Sequence, residues 1–299
     1  MVSLGIAIGL STIFAVLILQ AVFRFNLRPF VILAFAFFLT SSVSLIVSQF
    51  LIPAPLLEAV GGLFLYAAFA LVLLHSSSLL GFKKTILFFA IAWSFGLVFE
   101  TLGVAAGWLV GPYYYTAPKF FFGLLPFEVP ISWAVIVYLA YALTNQFLFG
   151  VIGDRPSLKL TRLNAAGLII IASAIGGMIA VNLDMIIDPV AVSQHIPSWV
   201  WIDGGPYFGI PLSNFIAWFI VTFLAVLLFR LYETLKSEPL GGARSVDVYI
   251  PVIYLVYFLV QASWAIQIGH PEFVLIGFSS MFPFVLFAAL IFYTHKARS

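Results

Sequence analysis

The chain has 299 residues, of which 64% are hydrophobic and only 8% are charged, and its mean hydropathy is +1.18. Soluble domains carry about 25% charged residues, so this composition argues strongly against a soluble protein. Cysteine is absent, which excludes disulfides, thiolate metal sites and cysteine nucleophiles. The formal net charge of +2 says little by itself, whereas the placement of the charges along the chain is informative.

Nine apolar segments are long enough to cross a membrane, because a spanning helix needs about 20 mostly apolar residues. The predicted spans are residues 2–23, 30–52, 57–75, 85–107, 130–152, 164–187, 209–231, 248–268 and 272–294. Eight spans is the alternative count, since the last two segments are separated by few residues. The first segment lacks a basic n-region and a cleavage site, so we interpret it as a span and not as a removed signal peptide. No connection could hold a soluble domain, and the sequence predicts one all-α integral membrane domain over residues 1–299.

The basic residues define an orientation for this polytopic transmembrane helical bundle. With nine spans, all 13 Lys and Arg residues except Lys119 fall on one side of the membrane. The positive-inside rule then predicts an outer N-terminus and a cytoplasmic C-terminus, in the cell (plasma) membrane. Most acidic residues fall in the outer half, and the inner half offers few polar side chains besides Asn145 and Gln146. We therefore expect a site that opens toward the outer half of the bilayer.

Glu100 is a carboxylate in the middle of an apolar segment. On insertion scales such a group costs about 2.5–3.5 kcal/mol, and intramembrane acids are usually functional. Gly96, Gly103 and Gly107 lie on the same helical stripe, and small residues let another helix approach closely. The pattern predicts that Glu100 faces protein and not lipid. A glutamate that serves only helix packing is the alternative.

Asp184 and Asp188 lie four residues apart in "NLDMIIDPV", which puts both on one helix face together with Gly177. Two neighbouring carboxyls do not both ionise easily, so the pair suits an acid and a base. The alternative for Asp188 is a solvated helix end before Pro189. Asn182, on the same segment, is either a site residue or a packing amide.

Two outer connections, residues 111–133 and 199–218, are unusually aromatic. We interpret them as a lid over an apolar substrate, with an aromatic belt at the membrane interface as the alternative. The candidate binding residues in them are Tyr113, Glu128, Trp133, Trp201, Asp203, Tyr207 and Asn214. Asp203 precedes two glycines and is equally interpretable as a turn residue, whereas Asn214 is expected at the depth of Asp184. No partner lies at metal-ligand spacing from His195, so no metal site is predicted.

These side chains favour proton chemistry on a neutral, lipophilic molecule. Intramembrane prenyltransferases have aspartate-rich motifs similar to "NLDMIID", but they need two such motifs for Mg²⁺ and cations for diphosphate. Here there is one motif, and Lys119 is the only outer cation. Hydration of an alkene instead needs a proton donor, an aromatic wall around the carbocation and a base for the attacking water. Carboxyls, amides and aromatic rings supply all three without a cofactor.

Four segments resemble the membrane carotenoid hydratases of the bacterioruberin and γ-carotene pathways, the CruF type. They are "FETLGVAAGWLVGPYYYT", "LPFEVPISWAVIVYLAY", "DMIIDPVAV" and "WVWIDGGPYFGIPLSNFIAW", in order between about residues 95 and 220. The resemblance implies addition of water to the terminal C=C of an acyclic carotenoid end, giving a tertiary hydroxyl. Within that reaction we assign Glu100 as proton donor, and Asp184 and Asp188 as the base and water-positioning pair.

The expected partners are a long apolar polyene, water, membrane lipid and other membrane enzymes of the carotenoid pathway, with no nucleic acid. The segment "SQHIPSWVWIDGG" and the phenylalanine-rich "KFFFGLLPFEVP" depart from the family pattern and leave the carotenoid open. Two other functions fit the same residues. A membrane lycopene cyclase also protonates a terminal alkene, and a proton-coupled transporter also uses intramembrane acids, although it predicts polar residues in both halves of the membrane.

Overall fold

The protein is a bundle of long apolar helices with a small two-stranded sheet at one end. A computed structural model describes residues 29–50, 55–152, 162–193, 197–236 and 248–296. The elements are α1 (Pro29–Ser48), α2 (Pro55–Gly61), α3 (Phe64–Leu80), α4 (Phe82–Ala106), β1 (Tyr113–Tyr115), α5 (Glu128–Ile152), α6 (Arg162–Ser193), β2 (Trp199–Trp201), α7 (Leu212–Leu235), α8 (Tyr249–Gln267) and α9 (Pro271–Lys296).

Eight spans are present in the described part of the chain, with α2 and α3 forming one span together over Pro55–Leu80. They correspond to the second to ninth predicted spans, so the all-α polytopic bundle is confirmed and the chain is an integral membrane protein. The predicted first span, residues 2–23, lies outside the described residues. Both strands lie in connections that the basic residues predict to be outer, and we call this end of the bundle the outer end.

Helix α5 lies at the centre of the bundle. In its span 78% of residues are buried, against 22% in the span formed by α9, and it contacts α3, α4, α6, α7, α8 and α9. The predicted small-residue faces allow close contacts around this centre. A Cβ atom at Gly96 of α4 would overlap the Trp133 side chain of α5, and one at Gly177 of α6 would lie 2.7 Å from Cδ2 of Phe219 in α7. Both faces therefore pack against protein, as predicted.

Helix α6 continues through Pro189 to Ser193, beyond the predicted end at residue 187. A proline inside a helix lacks the N–H that would bond to the carbonyl four residues earlier, here that of Met185. The hydroxyl of Tyr207 donates to this carbonyl oxygen at 2.8 Å and replaces the missing bond. The helix can therefore carry Asp188 inside its last turns and not at a solvated end.

Replacing Tyr207 with Phe is expected to destabilise this end of α6. The change removes one hydrogen bond and leaves the Met185 carbonyl without its donor, which costs about 1 kcal/mol. The melting temperature of the purified protein in detergent measures the effect. Tyr293→Phe is the matched control, because Tyr293 is 73% exposed on α9. Equal melting temperatures for the two variants would contradict this role of Tyr207.

The outer connections are ordered by pairing with one another, a feature that the all-α prediction did not include. Strands β1 and β2 are antiparallel, with Tyr113 opposite Trp201 and Tyr115 opposite Trp199. Because side chains alternate along a strand, Tyr113 and Tyr115 are buried while Tyr114 between them is exposed. The two strands thus present their aromatic face to the helices beneath.

Candidate active site

Glu100 lies under the two-stranded sheet and accepts hydrogen bonds from three aromatic side chains. The hydroxyls of Tyr113 and Tyr115 both donate to its Oε2 atom, the latter at 2.8 Å. The indole Nε1–H of Trp133 donates to Oε1 at 2.7 Å. Both carboxyl oxygens are thus occupied as acceptors, and the side chain is fixed between α4, α5 and β1.

The two tyrosine hydroxyls are held in their protonated form. Burial and the neighbouring Glu100 charge raise the pKa of Tyr113 and of Tyr115 well above the usual value for a phenol. Each hydroxyl therefore keeps its proton at neutral pH and has it available for donation. The two phenols act as fixed donors to Glu100 and are not themselves candidates for a base.

Asp184 and Asp188 on α6 form the second part of the site. They are 0% and 2% exposed, and one amide joins them. The Nδ2 group of Asn214 donates to Oδ2 of Asp184 at 2.8 Å and to Oδ2 of Asp188 at 2.5 Å. The Trp199 side chain lies near enough to Asp188 to interact with its carboxyl. Glu100 lies close enough to both aspartates for their charges to interact.

Two buried polar atoms in this region have no hydrogen-bond partner among the described residues. They are Oδ1 of Asp184 and the indole Nε1 of Trp201. The Trp201 ring lies 4.6 Å from the ring of Tyr113, whose hydroxyl donates to Glu100. Trp201 is therefore part of the two-stranded sheet that covers Glu100. Buried polar groups are nearly always satisfied in folded proteins, so these two atoms can each take a further hydrogen-bond partner.

A cavity of about 20 Å³ adjoins both parts of the site, and Glu100 and Asn214 contribute to its wall. A void of this size has room for one water molecule. Its other lining residues are largely aromatic, and the Trp133 and Trp218 rings lie 4.6 Å apart. The arrangement combines space for one small polar molecule with π faces that can stabilise a cation.

The structure places four predicted site residues elsewhere or in other roles. Glu128 is exposed at the start of α5 and accepts a hydrogen bond from Tyr66 at 2.8 Å, and Asp203 is exposed in a turn. Asn182 is two residues before Asp184, so its side chain projects from nearly the opposite side of α6. Its backbone carbonyl accepts a hydrogen bond from the Ser280 hydroxyl of α9. Tyr207 supports the α6 backbone; its pKa is raised to about 12 by burial and by the charges of the two aspartates. His195 lies outside the described residues.

Three site residues were not predicted from the sequence: Tyr115, Trp199 and Trp218. Tyr115 and Trp199 alternate with the predicted Tyr113 and Trp201 in "YYY" and "WVW", which is the period of a strand with one buried face. That signal was present but was interpreted as a lid or an interfacial belt. Trp218 lies four residues after Asn214 on α7, and helical spacing alone would have placed it on the same face.

A second buried polar group lies at the end of the bundle opposite the outer end, and the expectation of few polar side chains in that half is wrong there. Arg230 and Glu233 of α7 are 0% and 1% exposed. Nη2 of Arg230 donates a hydrogen bond to Oδ1 of Asn145 at 2.7 Å. The guanidinium carbon of Arg230 lies 4.6 Å from the centre of the Tyr141 ring. The Tyr141 hydroxyl in turn donates a hydrogen bond to Glu233 at 2.9 Å. The sequence predicts Arg230 among the cations on the cytoplasmic side, whereas the structure buries it inside the bundle. The nearby Glu233, the Tyr141 ring and the hydrogen bond to Asn145 offset part of the cost of burying its charge.

An apolar groove of about 630 Å³ lies between α5, α6 and α9 and is separate from the carboxyl site. Phe147, Met178, Pro283 and Phe287 are among its lining residues, and none of its lining residues also lines the small cavity. The groove therefore offers apolar surface toward the bilayer without access to the carboxyls.

Comparison with known proteins places the chain in one family. Residues 57–283 match the family described as "Carotenoid biosynthesis protein", and this range contains Glu100, Asp184, Asp188 and Asn214. No curated protein and no solved structure matches the chain. The match covers well over half of the 299 residues, and the chain belongs to the carotenoid biosynthesis protein family.

Proposed function

We propose that the protein is a carotenoid hydratase, a hydro-lyase that adds water to the terminal C=C of an acyclic carotenoid end group. Its substrates would be a long apolar polyene and water, its product a tertiary alcohol of the bacterioruberin or 1′-hydroxy type, and its location the cell membrane. No cofactor takes part in this scheme. The family supports a role in carotenoid biosynthesis, and the carboxyl site supports the particular reaction.

The observation that carries the proposal is a water-sized cavity lined by aromatic rings, by the half-buried Glu100 and by Asn214, which is hydrogen-bonded to the two buried aspartates. A carboxylic acid transfers a proton to the less substituted alkene carbon, which leaves a tertiary cation. Aromatic faces such as those of Trp133 and Trp218 stabilise that cation. A water molecule in the cavity attacks it, and a carboxylate removes one proton from the attacking water. The proton lost by the acid is thereby recovered, so the reaction is balanced by water alone.

The wild-type protein is expected to convert an acyclic polyene into a product heavier by one water per modified end. Expression in a host that accumulates such a polyene, followed by chromatography and mass spectrometry, measures this directly. Unmodified polyene from membranes that contain the folded protein would contradict the proposal. A product of unchanged mass but altered absorption would indicate a cyclase, which returns a proton from carbon in place of trapping water.

A proton-coupled transporter of a lipophilic molecule is the second candidate function. The observation that favours it is the buried group around Arg230 and Glu233, since transport needs polar residues in both halves of the membrane. Proteoliposomes loaded with a pH-sensitive dye would report proton flux upon addition of the polyene. Flux without any change in polyene mass would favour transport over hydration.

A further inference from the structure

We infer that Asp184 is the proton donor, with its proton on Oδ1, that Glu100 is the base, and that Asn214 is the positioning residue that keeps the proton on Oδ1. This assignment rests on the proposed hydration reaction and reverses the roles expected from the sequence. It follows from which atoms donate and which accept in the site.

Glu100 is surrounded by groups that can only donate, or that keep their protons. The indole N–H of Trp133 can donate a hydrogen bond but cannot accept one, and it donates to Oε1 of Glu100. The protonated hydroxyls of Tyr113 and Tyr115 both occupy Oε2. A neutral glutamic acid would have to place its own hydrogen on an oxygen that already accepts one. Three donors on two oxygens match a carboxylate, which suits a base and a counter-charge for the cation.

Asn214 imposes a different arrangement on the aspartates. An amide nitrogen donates two hydrogens and accepts none, so Oδ2 of Asp184 and Oδ2 of Asp188 are both acceptors. In the opposite orientation of the amide, the Asn214 carbonyl oxygen would face both Oδ2 atoms. Each Oδ2 atom would then have to carry a proton in order to form a hydrogen bond. Two adjacent carboxyls with a common neighbour hold one proton between them, because two neighbouring charges repel. With both Oδ2 atoms accepting, that proton lies on an Oδ1 atom.

Asp184 is the better holder of this proton. The Trp199 side chain interacts with the carboxyl of Asp188, whereas Oδ1 of Asp184 is buried with no hydrogen-bond partner among the described residues. An ionised oxygen without a partner in an apolar site is costly, and a protonated one is far less so. The O–H of Asp184 is thereby not committed to another protein group among the described residues.

The step is balanced without any further reagent. The Oδ1–H bond of Asp184 breaks as the new C–H bond forms, and the cation takes its oxygen from the water beside Glu100. Glu100 receives the second proton of that water, and the proton returns to the Asp184–Asp188 pair before the next turnover. Asn214, which is hydrogen-bonded to both aspartates and adjoins the water cavity, lies between the two parts of the site.

Deuterium labelling separates acid from base. In D₂O, the purified wild-type protein should give a hydrate with one carbon-bound deuterium per hydrated end. Glu100→Gln should lower hydrate formation by about 100-fold or more. The retained acid should still exchange deuterium into recovered polyene, because the cation forms and can lose an original hydrogen in place of the added deuterium. Asp184→Asn should show neither hydrate nor exchange.

Two results overturn the assignment: exchange in Asp184→Asn, or no exchange in Glu100→Gln. Asn214→Leu should lose exchange as well, whereas a purely structural Asn214 would leave exchange per folded molecule unchanged. Glu58→Gln is the matched control, since Glu58 is an exposed acid at the outer end of α2 and should behave as wild type. Absence of hydrate from the wild-type protein would instead defeat the proposed function, so the two failures are distinguishable.

Discussion

Asp184→Asn is expected to lower hydrate formation by about 10²–10⁴-fold, the usual contribution of a general acid or base. The amide is nearly isosteric with the carboxyl and can keep the contact with Asn214, but it cannot protonate carbon. The measurement is hydrated polyene per amount of folded protein in isolated membranes. Among single substitutions in the site, we expect this one to have the largest effect on activity.

The amount of folded protein must be measured in parallel, because Asp184 is fully buried. Glu58→Gln provides the same carboxyl-to-amide change at an exposed position and should retain full activity. If Asp184→Asn kept at least half of the wild-type activity, Asp184 would not be the proton donor. Its burial would then serve only the packing of α6 against α7.

Arg230→Met is expected to have the largest effect on stability, lowering the free energy of unfolding by about 3–5 kcal/mol. Arg230 is completely buried, and its guanidinium interacts electrostatically with the buried Glu233. Removing the cation leaves a carboxylate inside the bundle without its opposite charge. A lower melting temperature and a lower yield of protein extracted in mild detergent would report the loss.

A double variant separates the lost charge balance from simple loss of packing. Glu233→Gln removes the unbalanced charge but keeps an oxygen that can accept from the Tyr141 hydroxyl. Arg230→Met combined with Glu233→Gln should therefore regain most of the stability lost in Arg230→Met. A double variant as unstable as the single one would show that the cost arises from the packing of the Arg230 side chain against Tyr141.

Much of the bundle could be predicted because long apolar segments leave few alternatives in a membrane. Residue spacing on a single helix also predicted correctly which residues share a face. Gly96 and Glu100 lie on the face of α4 that meets α5. Asp184 and Asp188 lie on the face of α6 that meets Asn214. These predictions depend only on helix geometry. The prediction that Glu100 faces protein is confirmed by its contacts with Tyr113 and Trp133.

Other features depend on contacts between distant segments, which helix spacing does not reveal. The pairing of Tyr115 with Trp199 is a cross-strand contact between the two aromatic connections, and helix spacing gives no sign that these connections form a sheet. The extension of α6 beyond Pro189 depends on a hydroxyl donated from a later loop. The burial of Arg230 depends on Asn145 and Tyr141 of another helix, so its position near a span end gave the wrong environment.

The central claim, that buried carboxyls add water to a polyene, is tested most directly with water labelled with oxygen-18. Purified protein in lipid vesicles would be supplied with an acyclic carotenoid in labelled water, and the product mass would be measured. Hydration predicts a product that carries one heavy oxygen for every hydroxyl formed. A product with unlabelled oxygen, or one with no gain in mass, would contradict it.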